Sequence, residues 1–284
     1  MPPLAKFSDA PPEISEDDYQ RFVEYFYQRT GIHFGVNKRY FVDKRLYERI
    51  LNCGRRNFRD YFEFLRRDGA EYQALVNLMT VNETYFYREP YQLECLVKSI
   101  LPEVVTTLGS SRKIRIWSMP CSTGEEPYSI AFYLLEHWRL VDDYEIEIVA
   151  TDIDTEVLRR AREGVFNKRS LQYVPEATLA KFTTDEGDGL RRVVPALRES
   201  IQFATANLLE VVDDRAYRGF HVVFCRNLLI YFDDVSRREA GGALFASMAP
   251  GGFVCLGHSE SMSRISSLFE LRKFPEAIVY RKPL

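Results

Sequence analysis

An α/β fold is predicted from residue 91 onward, a parallel sheet with helices on both faces, preceded by an all-α segment over residues 1–90. Three observations carry this prediction. Before Pro90 the apolar residues fall at helical spacing and no strand-like alternation occurs. After it, short apolar runs such as Ile114–Trp117 and Val222–Cys225 alternate with helical stretches, as crossover-connected parallel strands require. Near the end, Leu271–Phe274 and Ile278–Arg281 flank a Pro275-Glu276 turn, which reads as an antiparallel hairpin at the sheet edge.

In the helical segment, Ser15 with Asp18 resembles a capping box, and Phe22, Val23, Phe26 and Tyr27 follow until Gly31 stops the helix. A second helix spans Tyr40 to Cys53, with Phe41, Leu46, Ile50 and Leu51 as its apolar stripe. Tyr61, Phe62 and Leu65 mark a third and Tyr72, Leu75, Val76 and Met79 a fourth. After a helix over Tyr91–Thr107 come strand Ile114–Ser118, helix Tyr128–Leu140, strand Glu145–Ala150 and helix Thr155–Arg162. Strands Ile201–Ala204 and Val222–Cys225, helix Ser236–Met248, a Pro250-Gly251-Gly252 turn and strand Phe253–Gly257 complete the alternation. Residues 164–200 are too long for an ordinary connection. With a helical piece (Pro175–Phe182) and an acidic turn (Asp185–Gly189), they read as a small inserted subdomain with some strand content.

The 284 residues are 46% apolar and 28% charged, a globular balance that argues against disorder. With 38 basic and 41 acidic side chains the formal charge is −3, which argues against a nucleic-acid-gripping surface overall. The five cysteines (Cys53, Cys95, Cys121, Cys225, Cys255) are scattered and read as reduced thiols, and the four histidines show no metal-ligand spacing, so no metal is expected. Met1 to Glu13 is Pro-rich and lacks the apolar core of a signal peptide, and no run is long enough to span a bilayer. A cytoplasmic chain without membrane insertion, monomeric by default, is the expectation.

Ligands of open α/β sheets sit beyond the carboxyl ends of the strands, where strand order reverses. The loop after the first strand, Met119–Pro127, has one glycine rather than a dinucleotide fingerprint, and no Lys-Ser/Thr pair of a phosphate loop. Glu125 and Glu126 lie where a pyrophosphate would approach and would repel it, although they could merely open a helix. A phosphate-free nucleoside with a cationic end, such as S-adenosylmethionine, suits the loop better. Asp154 reads as the N-cap of the next helix, leaving Asp152 to accept hydrogen bonds from ribose hydroxyls. Asn207 could meet an adenine edge or merely form a turn, and Arg226-Asn227 place two polar side chains at the centre of the same sheet edge. Three tempting motifs fail on context: Gly257–Ser261 lacks the last glycine of a nucleophile elbow, Pro120-Cys121 follows the wrong strand for cytosine methylation, and Asn82-Glu83-Thr84 is a sequon without a secreted setting.

Taken together, Asn82-Glu83-Thr84-Tyr85-Phe86-Tyr87-Arg88-Glu89, Cys121-Ser122-Thr123-Gly124-Glu125-Glu126-Pro127-Tyr128-Ser129-Ile130-Ala131, Ala150-Thr151-Asp152-Ile153-Asp154 and Phe224-Cys225-Arg226-Asn227-Leu228-Leu229-Ile230-Tyr231-Phe232-Asp233 resemble the signature segments of CheR, the chemotaxis-receptor methyltransferases. Gly257-His258-Ser259-Glu260-Ser261 also resembles a segment of that family. The resemblance covers nearly the whole chain. It implies a Rossmann-like class I S-adenosylmethionine methyltransferase domain over 91–284 with an inserted β-containing subdomain near 164–200, and a substrate-docking helical domain over 1–90. The implied activity is methyl esterification of glutamates on the helical bundle of chemoreceptors for sensory adaptation, releasing S-adenosylhomocysteine. By motif position Asn82, Thr84 and Arg88 should close over the cofactor, Glu126 and Asp152 hold its amino-acid and ribose parts, and Asn207 and Leu208 lie near the adenine. Arg226, Asn227 and Tyr231 should line the methyl-transfer end, with Arg88 and Tyr231 orienting cofactor and acceptor.

Two local features refine this expectation. Between His33 and Arg67, ten basic residues face four acidic ones; beside an acidic substrate bundle this reads as a steering surface, with Arg45, Arg49, Arg55, Arg56 and Arg59 as the first candidates for contact. The loop Asp185–Gly189 is short and acidic compared with family members that dock on a receptor's C-terminal pentapeptide, so no such tether is expected to be needed. The main alternative function is a catalytically silent regulatory protein keeping the fold and cofactor pocket. Intact Arg88, Asp152 and Tyr231 weigh against it. A nucleic-acid methyltransferase lacks its Asn/Asp-Pro-Pro-Tyr segment here, and a nicotinamide dehydrogenase its glycine fingerprint.

Overall fold

A computed structural model describes residues 14–284; the Pro-rich start, Met1 to Glu13, lies outside the described residues. The chain divides into two compact units between Thr80 and Val81. Residues 81–89, read above with the helices, therefore belong to the sheet-bearing unit.

In the first unit α1 (Glu16–Thr30) starts where Ser15 Oγ accepts the Asp18 N–H, and ends at Gly31, whose φ of 73° lets its N–H reach the Tyr27 carbonyl. α2 (Arg39–Asn52), α3 (Phe58–Leu65) and α4 (Gly69–Met79) follow, the last two capped by Asn57 and Asp68. The apolar stripe of α2 is Val42, Leu46 and Ile50, a strict four-residue repeat. Phe41 and Leu51, assigned to it from sequence, flank the stripe, and Leu51 is 53% exposed. Rings of Phe22, Phe26, Phe58 and Tyr61 fill this core.

A buried carboxylate with four side-chain donor contacts sits within it. Glu71, 6% exposed, accepts from Arg49 Nε (2.9 Å) and Nη2 (2.5 Å), Tyr61 Oη (2.7 Å) and Cys53 Sγ (3.1 Å). Burial alone would raise its pKa, but these donors outweigh that and hold it below the usual carboxylate range. A carboxyl so depressed stabilises the fold above its unfolded pKa and ceases to do so as the pH falls through its folded one.

The second unit opens with α5 (Pro90–Cys95), a π-helical turn (Leu96–Ile100) and α6 (Leu101–Thr107), one continuous helical stretch. β1 (Lys113–Ser118), α7 (Glu125–His137), β2 (Glu145–Asp152) and α8 (Thr155–Glu163) follow. An inserted portion comprises β3 (Val165–Asn167), α9 (Lys168–Leu171), α10 (Glu176–Phe182), β4 (Thr183–Gly187), β5 (Leu190–Val193) and α11 (Pro195–Ser200). β6 (Ile201–Thr205), β7 (Phe220–Cys225), α12 (Asp234–Ser247), β8 (Met248–Leu256), β9 (Glu270–Lys273) and β10 (Ile278–Arg281) complete it. The seven-stranded sheet has the order β6-β2-β1-β7-β8-β10-β9, parallel from β6 to β8, with the β9–β10 hairpin antiparallel at the edge.

Strand order reverses between β1 and β7: the chain runs outward through β2 and β6, then returns to β7 and leaves on the other side. The crevice beyond these two strands is the ligand position of this architecture. Two sequence expectations shift locally. α7 begins at Glu125, three residues before Tyr128, because Gly124 takes a φ of 97° and turns the chain directly into the helix. Pro250-Gly251-Gly252 lies inside β8, where the pairing with β7 is irregular between Phe220 and Val222.

The inserted portion forms a separate antiparallel sheet, β3-β5-β4, whose β4–β5 turn uses positive φ at Gly187, Asp188 and Gly189. It shares the main core: Phe182 stacks on Phe132 of α7 at 5.0 Å, and Phe166 meets Phe86 edge-on at 4.7 Å. Among the described residues no helix is long and apolar enough to cross a membrane.

Replacing Glu71 by Gln removes the charge on which Arg49, Tyr61 and Cys53 converge. The expected loss, read by urea unfolding of the full chain at pH 7, is about 2–3 kcal/mol. The difference from the parent narrows as the pH falls from the unfolded value of about 4.3 through the lower folded pKa of Glu71, below which the parent's carboxyl is protonated as well.

Candidate functional site

A cleft of about 820 Å³, counting its open mouth, lies at the carboxyl ends of β1, β2 and β7. Its first wall is the loop after β1, stitched to both neighbouring strands. Met119 N–H bonds the Phe224 carbonyl on β7 (2.8 Å), and Cys121 N–H the Thr151 carbonyl on β2 (2.9 Å). Ser122 N–H donates to Asp152 Oδ2 at 2.9 Å. The loop's single glycine is required twice over. A Cβ at Gly124 would lie 3.1 Å from Ala161 Cβ and from the Tyr128 ring, at a φ that L-residues avoid.

Asp152 ends β2 facing this loop, 3% exposed, and its other oxygen accepts the Asp154 N–H at 3.0 Å. Burial outweighs these two hydrogen bonds and pushes its carboxyl up to about 6. Asp154 is the helix cap expected from sequence: Oδ1 accepts the N–H groups of Glu156 and Val157, while Oδ2 accepts from the Asn82 side-chain amide.

The cleft floor is a buried charge chain. Arg226, 7% exposed, follows β7; its Nη1 is 2.8 Å from Glu126 Oε2 and its Nη2 3.1 Å from Glu89 Oε2. Nη2 also donates to the Arg88 carbonyl at 2.8 Å, which ties the segment 82–89 to the sheet. Glu126 takes a second hydrogen bond from Ser118 Oγ, yet burial still holds its pKa up. Glu89 is held down by Arg226 and by contacts with His258 and Tyr91, against the effect of burial. Arg226 Nε is buried with no protein partner among the described residues, a donor left over for whatever fills the cleft.

At the mouth, Arg88 donates to the Glu83 carbonyl and leans over the Tyr85 ring, and the Tyr231 phenol lies within its electrostatic reach. Burial raises the Tyr231 pKa, so its hydroxyl stays a neutral donor at physiological pH. Among the described residues five non-glycine positions have positive φ, and two of them, Ser122 and Asn227, line the cleft. Tyr87 and Glu89 lie on the segment that passes over it. Such strain gathers where surrounding structure over-determines the backbone.

Eight residues singled out from sequence converge here: Asn82, Thr84, Arg88, Glu126, Asp152, Arg226, Asn227 and Tyr231 all line the cleft. Asn207 and Leu208 do not. Asn207 Oδ1 accepts the Leu209 N–H, the turn-forming role, and Leu208 is 1% exposed. Glu125, expected beside Glu126, turns away and accepts from Thr123 Oγ1 and Ser170 Oγ, because successive helical positions point about 100° apart. Glu89 was missed; nothing in a lone Glu before a proline signals a partner 137 residues away.

The basic candidates of the helical unit divide. Arg45 bonds the carbonyls of Leu78 and Phe41 and lies over the Phe41 ring, and Arg49 pairs with Glu71, so the guanidinium groups of these two half-buried side chains are engaged within the unit. Arg55 is half-buried on Phe64 beside Asp60, whereas Arg56 and Arg59 are exposed.

Replacing Arg226 by Ala leaves Glu126 and Glu89 buried without their shared cation. Thermal unfolding at pH 7.5 should show a loss of about 3–5 kcal/mol. The loss shrinks toward pH 5, where the two carboxyls can take up protons.

A family model described as the CheR methyltransferase SAM-binding domain matches residues 82–278, and one described as its all-alpha domain matches residues 17–80. Chemotaxis protein methyltransferase 2 of Vibrio cholerae is 48% identical over 272 residues, covering 95% of this chain and 94% of its own. Chemotaxis protein methyltransferase 2 of Pseudomonas aeruginosa is 36% identical over 270 residues, covering 94% of each chain. The chemotaxis protein methyltransferase of Escherichia coli is 33% identical over 265 residues, covering 91% of this chain and 89% of its own. With both family models matched in order across most of its length, the chain belongs to the CheR methyltransferase family, an all-alpha domain followed by a domain of the type that binds S-adenosylmethionine.

Proposed function

We propose that the protein methylates glutamate side chains of chemoreceptors in the cytoplasm, using S-adenosylmethionine and yielding glutamate methyl esters for sensory adaptation. The observation that carries this reading is the acidic, phosphate-hostile cleft at the strand-order switch of a CheR-family chain.

The residues fit the donor. Two carboxyls of low exposure, Glu126 and Glu89, flank one buried guanidinium, and the buried Asp152 adds a third acid to the cleft, so it favours a ligand with positive charge and no phosphate. S-adenosylmethionine, when bound, supplies a methyl group on a cationic sulfonium. Glu126 would hold the amino-acid end, and Asp152 would accept from the ribose hydroxyls. Asn82, Thr84 and Arg88 cover the cleft, with Asn227 and Tyr231 at its open end. Asn207 and Leu208, beyond the end of β6, would lie toward the adenine.

The acceptor needs little chemical help. A glutamate side chain has a pKa of about 4.3, so it arrives as an anionic nucleophile and no general base is required. Arg88 would attract and orient it while Tyr231 donates a hydrogen bond, and the main contribution is in-line approach away from water. Charge is neutralised on the way to the transition state, so water that stabilised the separated ions would slow the reaction.

Exposed Arg56 and Arg59 on the helical unit would steer an acidic receptor bundle, the role first assigned to all five arginines. The acidic β4–β5 turn, where Glu186 pairs with Arg192, offers little to the carboxylate terminus of a pentapeptide tether, so none should be needed. Neither nucleic acid nor a metal enters this reading, and the enzyme would work as a monomer.

The decisive assay is transfer of labelled methyl from S-adenosylmethionine to purified cytoplasmic fragments of chemoreceptors, with and without their last five residues. Base-labile label on glutamates, equal on both fragments, is expected. Arg56→Ala with Arg59→Ala should raise KM several-fold and flatten its salt dependence. No base-labile label would sink the proposal.

Asp152 gives a pH signature. With its carboxyl near 6 in the free protein, a ribose that donates to the carboxylate must displace a proton in acid. Affinity for S-adenosylhomocysteine, measured by calorimetry, should be level above about pH 6 and fall up to tenfold per unit below it. Asp152→Asn should weaken binding at pH 7.5 and remove that slope.

A further inference from the structure

A second depression, a groove of about 1080 Å³ counting its open mouth, leaves the reacting end of the cleft. It runs between the turn Leu229–Tyr231, the first two turns of α12 and the loop after β8. Ile230, 45% exposed, borders both cleft and groove, so the two share a rim one residue from Tyr231.

Its floor and walls differ in character from the cleft. Leu229 and Ile265 give an apolar base, while Arg237, Arg238 and Arg264 supply three guanidinium groups. The two carboxylates in the groove do not offset them fully. Asp234 is 3.2 Å from Arg237, whose Nε is fixed on the Leu229 carbonyl at 3.0 Å. Glu260 is spent on the backbone: Oε2 accepts the N–H groups of Asn227 (2.8 Å) and Gly257 (2.9 Å), and Oε1 that of Ile230 (3.3 Å). Arg238 and Arg264 are exposed and make no ion pair among the described residues.

An acceptor side chain that reaches Tyr231 is carried on a polypeptide that must leave the cleft on some side. The groove starting at Ile230 offers that polypeptide an apolar strip bordered by cations. A small hydrated anion would gain little in so open a trough, whereas a chain presenting several carboxylates beside apolar residues matches both features at once. We propose that the groove seats the acidic segment flanking the methyl-accepting glutamate, with Arg238 and Arg264 as specificity-determining residues that recognise carboxylates of that flank. The proposal rests on the receptor-methylation reading and adds to it a reader of sequence context within the methyltransferase domain itself.

The test uses the full-length enzyme and a purified chemoreceptor cytoplasmic fragment. Arg238→Glu with Arg264→Glu should raise the KM for the fragment tenfold or more, with kcat within twofold and calorimetric affinity for S-adenosylhomocysteine unchanged. The milder pair Arg238→Ala and Arg264→Ala should raise KM in the same direction. That increase should vanish on a fragment whose acids flanking the methylated site are changed to Gln. A KM rise below tenfold for the reversal pair, a fall in kcat at unchanged KM, or an alanine effect that survives the neutral flank would overturn the proposal. If the parent enzyme labels no receptor fragment, the receptor reading itself fails and this proposal falls with it.

Discussion

Arg226 is the side chain on which the cleft is assembled. It stands at the end of β7, yet its guanidinium reaches Glu126 in the first turn of α7, Glu89 at the start of α5 and the carbonyl of Arg88. Three segments distant in sequence are fixed to one planar group whose geometry Lys could not reproduce. Burying this ion set is expensive, and well-packed apolar residues of similar volume often hold such segments at least as tightly. A charged floor makes sense where the ligand is itself charged. Two carboxyls against one guanidinium leave the floor short of positive charge, which a cationic ligand can supply.

The same logic explains why the loop after β1 has one glycine and no more. A pyrophosphate is cradled by bare backbone N–H groups, and several glycines are needed to bring that backbone close. Here the loop's N–H groups are already used: Cys121 on Thr151, Ser122 on Asp152. The remaining glycine, Gly124, serves helix entry and packing against Ala161, not ligand approach.

How much of this was legible in the sequence follows from the range of each interaction. Parallel strands, their helices and the edge hairpin rest on local periodicity, and most were readable to within a few residues. The cleft residues at strand ends were readable because the fold itself sends Asp152 and Arg226 to the same edge. What failed depends on side-chain direction or on distant partners. Glu125 and Glu126 are adjacent in sequence but face different neighbours, one Ser170 and the other Arg226. Phe41 and Leu51 sit one position off the buried stripe of α2. Arg45 and Arg49 count as surface charge in any composition window, yet their guanidinium groups close on Leu78 and Glu71 within the helical unit.

The proposed methyl transfer, from a cationic donor to an anionic acceptor, would set the site a contradictory electrostatic task. A uniformly acidic cleft would hold the donor and repel the carboxylate; a basic one would do the reverse. The charge arrangement resolves this by position. Carboxyls lie deep, on Asp152, Glu126 and Glu89, where low exposure strengthens their pull on a cation. Guanidinium groups lie toward solvent, with Arg88 at the cleft mouth and Arg238 and Arg264 along the groove that leaves it. Solvent screens these outer charges, so each contributes modestly to affinity. In the proposed reaction their effect would be on encounter and orientation: they would bring the anion to the edge of a negative well without neutralising the well. A silent protein that kept the cofactor pocket would need the acidic floor; the basic rim is the part of this gradient that cofactor binding alone does not require.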